Sequence, residues 1–285
     1  MAVIAGDGMT ATDRTRRVVV TGAGTGIGRA IALRLARAGH TVVGTARAPS
    51  RAAELSGDAR AAGLPLEYRP LDLSSRNQVE ALAASLAEGG GIDVLVNNAG
   101  YGIFGAVEDV QPEQVLRQFD VNLFGPLLLT RLLMPGLRER QGRIVWVGSL
   151  AGRQSLAFQG HYSATKAATA AVSDALRMEL KPFGVHVTCV EPGDISTEFT
   201  SSRIVLGGEE SAYAARAARS LAAVEREEHH GPSPECVARA VERVLARRRP
   251  PARVPAGSLG RTTALFLRLA PYDVAQWVVA RLYRF

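Results

Sequence analysis

Residues 17–28 read Arg17-Val-Val-Val-Thr21-Gly22-Ala-Gly24-Thr25-Gly26-Ile27-Gly28. The first five form a short, β-branched apolar run, the pattern of a strand buried on both faces. An apolar-periodic stretch begins after the glycines and continues to about Ala38, where Gly39 is a helix stop. Glycines between a strand and a helix let the backbone turn sharply and approach a pyrophosphate, and the helix N-terminus adds amide donors and partial positive charge. The spacing from Gly22 to Gly26 is one residue longer than in GxGxxG, and the Gly-Lys-Ser/Thr of a P-loop is missing. A Gly-rich turn can also be only a tight turn, so its meaning depends on what surrounds it.

Outward from this stretch the same alternation repeats. Strands are expected at 41–45, 66–71, 93–96, 143–147 and 185–190, with a short one near 253–255. Helices are expected at 51–62, 77–88, 162–180 and 234–248, and from Pro112 onward with a pause near Gly125-Pro126. Strands alternating with helices predict βαβ units: a doubly wound parallel sheet of Rossmann type, three layers α/β/α, in one domain. The domain is expected over 14–256, after a frayed segment 1–13. Residues 195–231 break the rhythm, are polar and Glu-rich, and suggest a lid over a ligand. Residues 257–285 form a C-terminal extension.

Composition narrows the class. The chain has 285 residues, 47% hydrophobic, and no apolar run long enough for a transmembrane helix. Two cysteines are too few for a disulfide scaffold, and no signal peptide or zinc-ligand spacing is present. A cytoplasmic protein without a metal site is expected. Of the 34 Lys+Arg, only Lys166 and Lys181 are lysines. The net charge of +7 is concentrated beyond Glu242, where nine Arg meet one acid, Asp273. No nucleic-acid motif accompanies those arginines. Residues 261–269 and 274–285 set apolar residues beside arginines, as interfacial helices do, which leaves peripheral membrane contact open beside packing on the subunit or a partner.

Several residues carry chemistry. Tyr162 and Lys166 lie at i and i+4 of one helix, so phenol and ammonium share a face. A cation near a phenol favours phenolate and lowers its pKa, which suits proton exchange with an alcohol. Ser149 follows strand 143–147 at the carboxyl edge that lines the ligand crevice of such sheets, where its hydroxyl can bond a carbonyl oxygen. Gly-Ser-Leu-Ala-Gly is not G-x-S-x-G, so a hydrolase nucleophile is not indicated. After strand 41–45 the residues Ala46-Arg47 offer no acid for a ribose 2′-hydroxyl. Arg47 could hold a 2′-phosphate or simply be solvated. Asp72 could accept from an adenine amine or cap the next helix. Asn97-Asn98-Ala99-Gly100 ends strand 93–96, and Gly100 permits close backbone approach. Asn122, alone in an apolar helix, is by itself a buried hydrogen-bonding residue.

Taken together, Thr21–Gly28 as TGxxxGIG, Asn97–Gly100 as NNAG, Asn122, Ser149, Tyr162, Lys166, and Pro192-Gly193 with Thr197 resemble the short-chain dehydrogenase/reductase family. Gly100-Tyr101-Gly102 and Glu191-Pro192-Gly193 resemble its 17β-hydroxysteroid and retinol dehydrogenase branch. The resemblance implies an oxidoreductase interconverting a carbonyl and an alcohol, with NADP(H) favoured over NAD(H) through Arg47. Thr25 stands where some NADP enzymes have a second base. It makes Tyr162 the general acid/base, Lys166 the ribose-binding cation, Ser149 the carbonyl-polarising hydroxyl, and Asn122 the holder of a water linked to Lys166. The cofactor would be held by Gly22, Thr25, Gly26, Ile27, Gly28, Arg47, Asp72, Leu73, Asn98, Ala99, Gly100, Tyr162, Lys166, Pro192, Gly193, Ile195 and Thr197. Substrate walls are expected at Tyr101, Phe104, Leu150 and Phe158, for an apolar or mixed small molecule. The family implies a homodimer or homotetramer paired chiefly through its long helices, with no nucleic-acid partner. The rival reading is a catalytically silent NADP-binding regulator or scaffold.

Overall fold

The structure is a computed structural model and describes residues 15–257 and 260–284; the segment 1–13 lies outside the described residues. The chain opens with β1 (Arg17–Val20), α1 (Gly26–Arg37), β2 (Thr41–Ala46), α2 (Pro49–Ala61), β3 (Leu66–Pro70), α3 (Arg76–Glu88) and β4 (Val94–Asn97). It continues through β5 (Ile103–Phe104), α4 (Pro112–Phe119), α5 (Gly125–Glu139), β6 (Arg143–Val147), α6 (Gly160–Glu179) and β7 (His186–Pro192). After these come α7 (Phe199–Ser202), β8 (Ile204–Val205), α8 (Ala214–His230), α9 (Glu235–Ala246), β9 (Arg253–Ala256), α10 (Gly260–Leu269) and α11 (Tyr272–Leu282).

Seven strands form one sheet in the order β3-β2-β1-β4-β6-β7-β9, every neighbouring pair parallel. The central strands are apolar on both faces because both are covered: Val18, Val19 and Val20 of β1 and Val94, Leu95 and Val96 of β4 are fully buried. One face packs on Ile31 and Leu35 of α1, Leu55 of α2 and Val237, Val241 and Val244 of α9. The other packs on Val79, Leu82 and Leu86 of α3, Leu129, Leu133 and Leu137 of α5 and, from α6, Val172 and Leu176. The doubly wound three-layer fold expected from the alternation is present.

The chain moves outward from β1 to β2 and β3, then returns to the other side of β1 with β4. This reversal opens a crevice at the carboxyl ends of β1 and β4, where open α/β sheets bind ligands. Helix stops fall where glycines require them: Gly39 has φ +84° and bonds back to Ala36 O, with His40 bonding Leu35 O. Several of the abundant arginines reach backbone carbonyls. Arg17 donates to Leu86, Gly89 and Gly91 O, buried Arg143 to Val244 O, and Arg177 to Val187 and Pro250 O. A forked guanidinium serves several carbonyls at once, which an ammonium on a single stem does less well.

The pause expected near Gly125-Pro126 is a π-turn, Asp120–Phe124, between α4 and α5. Two features enforce it. Pro126 has no N–H for the carbonyl one turn back. A Cβ on Gly125 would meet Leu73 O at 2.1 Å, so only glycine lets α5 pass this close. Asn122 is carried on that π-turn, a placement common for functional residues. The short β5–β8 ladder was not legible from the sequence: two-residue strands leave no periodicity to read.

Candidate active site

A cleft of about 1150 Å³ runs along the carboxyl edge of the sheet. Its lining joins the expected cofactor and catalytic residues other than Asn122 into one site: Gly22, Thr25 to Gly28, Arg47, Asp72, Leu73, Asn98 to Tyr101, Ser149, Leu150, Tyr162, Lys166, Pro192, Gly193, Ile195 and Thr197.

The glycine loop is locked from behind by the segment that follows β4. Thr21 Oγ1 accepts from the backbone N–H of Asn98 (3.0 Å) and of Ala99 (3.1 Å), while Asn98 Nδ2 donates to Thr21 O (2.9 Å) and Gly22 O (3.2 Å). Gly22, at φ +63°, lies so close to Ala99 that a Cβ would meet its Cα at 2.8 Å. A Cβ on Gly28 would sit 2.2 Å from Gly22 O and 2.4 Å from Asn98 Nδ2. Here α1 is pressed against the loop to within backbone contact. Gly28→Ala is therefore expected to cost about 1–3 kcal/mol through overpacking and to weaken dinucleotide binding. Urea unfolding and a fluorescence titration with NADPH would check both; an unchanged midpoint and affinity would contradict the close-packing argument.

Thr25 caps α1 in extended conformation without a side-chain bond to the helix, and the first turn holds no acid. The residues at this N-terminus line the cleft, and the helix's own first turn offers no carboxylate to neutralise its amides, which suits an anion. Asp72 spends Oδ1 on the N–H (2.9 Å) and hydroxyl (2.7 Å) of Ser74, forming the turn ahead of α3. Burial opposes its charge, but those bonds with Arg117 and Arg47 nearby bring its carboxyl below the ordinary value. Arg47 itself is exposed at the cleft.

The reacting groups gather at the end of β6 and the start of α6. Ser149 caps a 3₁₀ turn through Oγ, which accepts from Ala151 N at 3.1 Å, and it lines the cleft together with Tyr162. Lys166 is 6% exposed; its Nζ donates to Val147 O at 2.9 Å and lies 5.7 Å from the centre of the Tyr162 ring. The Tyr162 pKa has the opposite sign from the sequence expectation. Burial pushes its hydroxyl up to about 12, against the lowering effect of the Ser149 hydroxyl; Glu228 and Asp194 raise it further and Arg203 lowers it. Desolvation is the largest of these effects, and burial likewise brings Lys166 down to about 8.

Asn122 is 3% exposed and clamps a loop to a helix. Its Oδ1 accepts from Tyr101 N (3.0 Å), and its Nδ2 donates to Tyr101 O (3.0 Å) and Thr165 Oγ1 (3.1 Å). Both amide protons are thus committed to protein.

Two expected walls are not walls. Phe104 and Phe158 are absent from the lining; with their rings 5.7 Å apart, they are buried with Ala106 and Ala217 in a cluster that reaches the cleft through Val224 and Tyr283. The reason is the β5–β8 ladder, which turns Phe104 inward under segment 195–231. Tyr101 and Leu150 do line the cleft, joined by Gln154, Leu156, Gln159, Phe199 and Ile204. Gln154 and Gln159 stand in the interval between Ser149 and Tyr162, whose two ends already face the cleft, so the sequence held a signal for them. Leu267, Val279, Leu282 and Tyr283 also line it, and nothing in the sequence linked the C-terminal residues to the cleft.

Residues 16–204 match the family model described as short chain dehydrogenase. The chain is a short-chain dehydrogenase/reductase. This dehydrogenase/reductase is 37% identical to a 3-ketodihydrosphingosine reductase of Bacteroides thetaiotaomicron, over 85% of this chain and 88% of that protein. It is 34% identical to retinol dehydrogenase 8 of Bos taurus, over 85% of this chain and 81% of that one. A solved short-chain dehydrogenase/reductase from Burkholderia phymatum in complex with NAD is similar in structure, with a TM-score of 0.80 and 26% identity over 93% of this chain and 96% of that one. The retinol dehydrogenase likeness agrees with the branch resemblance noted in the Gly100 and Glu191 segments. The carboxylate of Glu191 is buried and shared by Arg153 (2.5 Å) and Arg253 (3.2 Å), and Arg253 also holds Asp174 (2.6 Å). This network fastens β7, β9 and α6 beneath the Pro192-Gly193 turn.

Proposed function

We propose that this enzyme interconverts a carbonyl and an alcohol on an apolar or mixed small molecule, with NADP(H) as the favoured dinucleotide and Tyr162 as the proton donor and acceptor. The observation that carries the reading is that Ser149, Tyr162 and Lys166 line one cleft, with the Lys166 ammonium 5.7 Å from the centre of the Tyr162 ring. A nicotinamide dinucleotide bound there supplies or takes up hydride. The cleft fits one: the close-packed glycines and uncapped amides of α1 suit its pyrophosphate, and Ile195 and Thr197 flank the far end.

The chain's own residues handle the rest. Ser149 Oγ donates to the substrate oxygen and orients it. Tyr162, protonated at neutral pH with its pKa at about 12, gives its proton to that oxygen during reduction and takes it back during oxidation. Lys166 binds ribose hydroxyls, and its charge there favours the phenolate left behind. Asn122 Oδ1 keeps a lone pair for a water toward Lys166 while its amide fixes Tyr101. Segment 195–231 acts as the lid, held by the buried Arg203–Glu228 pair and by Ser211 on Asp109 (2.7 Å). A homodimer or homotetramer pairs through the long helices, where Leu116, Leu132 and Met178 are exposed.

The preference for NADP rests on Arg47, exposed at the cleft where NAD enzymes carry an acid; Arg51 lines the same end, tied to Glu54 at 2.7 Å. Arg47→Glu is expected to raise the Kd for NADPH at least about tenfold, as loss of a charge-assisted bond does, and to change that for NADH far less. Equal changes for both dinucleotides would refute the assignment. That a similar structure holds NAD makes this comparison necessary. No observation favours a silent regulator, since Ser149, Tyr162 and Lys166 are together in one cleft.

A further inference from the structure

Apolar surface and positive charge converge on the last two helices. The helices α10 and α11 pack on each other, and α10 packs on β9. Their inner side is part of the site: Ala264, Ala275 and Tyr283 are buried, while Leu267, Val279 and Tyr283 line the cleft. The Tyr283 hydroxyl donates to Asp194 Oδ2 at 2.8 Å, which ties α11 to the loop leading from β7 to Ile195 and Thr197. Their outer side is open. Leu265, Phe266, Leu269, Tyr272, Val274, Trp277 and Val278 are exposed, Leu269 by 72% and Trp277 by 61%. With Leu282, half of the large exposed hydrophobic side chains among the described residues lie in these two helices.

Bases are interleaved with them. Arg268, Arg281 and Arg284 are exposed, the Arg281 guanidinium sits 5.5 Å above the Trp277 ring, and Asp273 is the single acid beyond Glu242. This combination suits an anionic bilayer: apolar side chains enter below the headgroups, arginines extend to the phosphates, and tryptophan occupies the boundary. A second copy of the same face fits less well, because its arginines would oppose these with only Asp273 to offset them.

We infer that α10–α11 is a membrane-docking wall of the cleft. Its outer side seats on an anionic bilayer while its inner side closes the pocket, so the substrate is an apolar carbonyl or alcohol drawn from the lipid phase. The inference rests on the carbonyl–alcohol reading above and specifies where that substrate comes from.

The test uses the full chain and vesicles of phosphatidylcholine with or without phosphatidylglycerol. Two double variants, Phe266→Glu with Trp277→Glu and Arg268→Glu with Arg281→Glu, change residues that do not line the cleft. The wild type is expected to float with the phosphatidylglycerol vesicles and to be released by salt. Each variant should lose about tenfold or more in partitioning. Both should keep wild-type turnover of a small water-soluble ketone, yet lose turnover of a long-chain methyl ketone dissolved in the vesicles in step with binding. Absence of wild-type flotation, or equal flotation of the variants, overturns the inference. So does a variant that changes only the sedimentation coefficient, because that assigns the face to a second copy. Failure of every form on every ketone counts against the carbonyl reading alone, and flotation still decides the docking.

Discussion

Tyr162→Phe is expected to bind NADPH as tightly as the wild type and to lose turnover by a factor on the order of 10³, the scale of a positioned general acid. The substitution removes one oxygen and keeps the ring, which lies 5.6 Å from the Phe199 ring in the cleft wall. Binding and packing are therefore retained while the proton donor is lost. A panel of ketones read at the nicotinamide absorbance band, with the binding titration alongside, measures both quantities. Near-native turnover would end the case for Tyr162 as the acid. The pH dependence adds a second check. With Tyr162 at about 12 and Lys166 at about 8, reduction should hold steady through neutral pH, and kcat/KM should fall above about pH 8 as Lys166 loses its charge. In Lys166→Arg that limb should move well into alkali, because a guanidinium keeps its proton there.

Lys166→Met is expected to lose turnover by a similar factor and, at neutral pH, to make the protein more stable. The ammonium is buried and donates to the neutral carbonyl Val147 O rather than to a carboxylate. Its pKa falls from 10.5 in the unfolded chain to about 8 in the folded one, so between those values the unfolded chain binds more protons. Stability of the wild type therefore rises with pH across that window, and below it the full cost of the buried charge remains, up to about 3 kcal/mol. Met fills the same volume without the charge. The variant should melt about 5 °C or more above the wild type at pH 7, and the gap should close toward pH 10. A lower melting temperature at pH 7 would show that the hydrogen bonds of the ammonium outweigh its desolvation. A residue that destabilises the fold yet persists in the cleft is what a site trading stability for chemistry should contain.

The same two residues mark how far the sequence could be read. The i, i+4 spacing put Tyr162 and Lys166 on one helix face, and that much was correct. Their protonation was not legible, because it depends on how completely the sheet and segment 195–231 exclude water and on where Nζ turns. Asn122 follows the same division. Its type announced a buried hydrogen bond, but its partners, Tyr101 and Thr165, lie 21 and 43 residues away. Phe104 and Phe158 read as pocket walls because they are aromatic and near motif residues; a two-residue ladder turned Phe104 into the interior instead.

Local patterns determined a great deal about this protein. Alternating apolar runs and helical periods defined the doubly wound sheet, glycines defined the phosphate-side turn, and the Ser149–Tyr162–Lys166 spacing defined the reaction class. Each such run, turn and spacing lies within one stretch of fewer than twenty residues, short enough for a sequence to display it directly. The wall of the cleft was decided only in three dimensions. Tyr283 reaches Asp194 across 89 residues, and no local pattern encodes that pairing, because only packing of the finished sheet brings the C-terminal helices over the crevice.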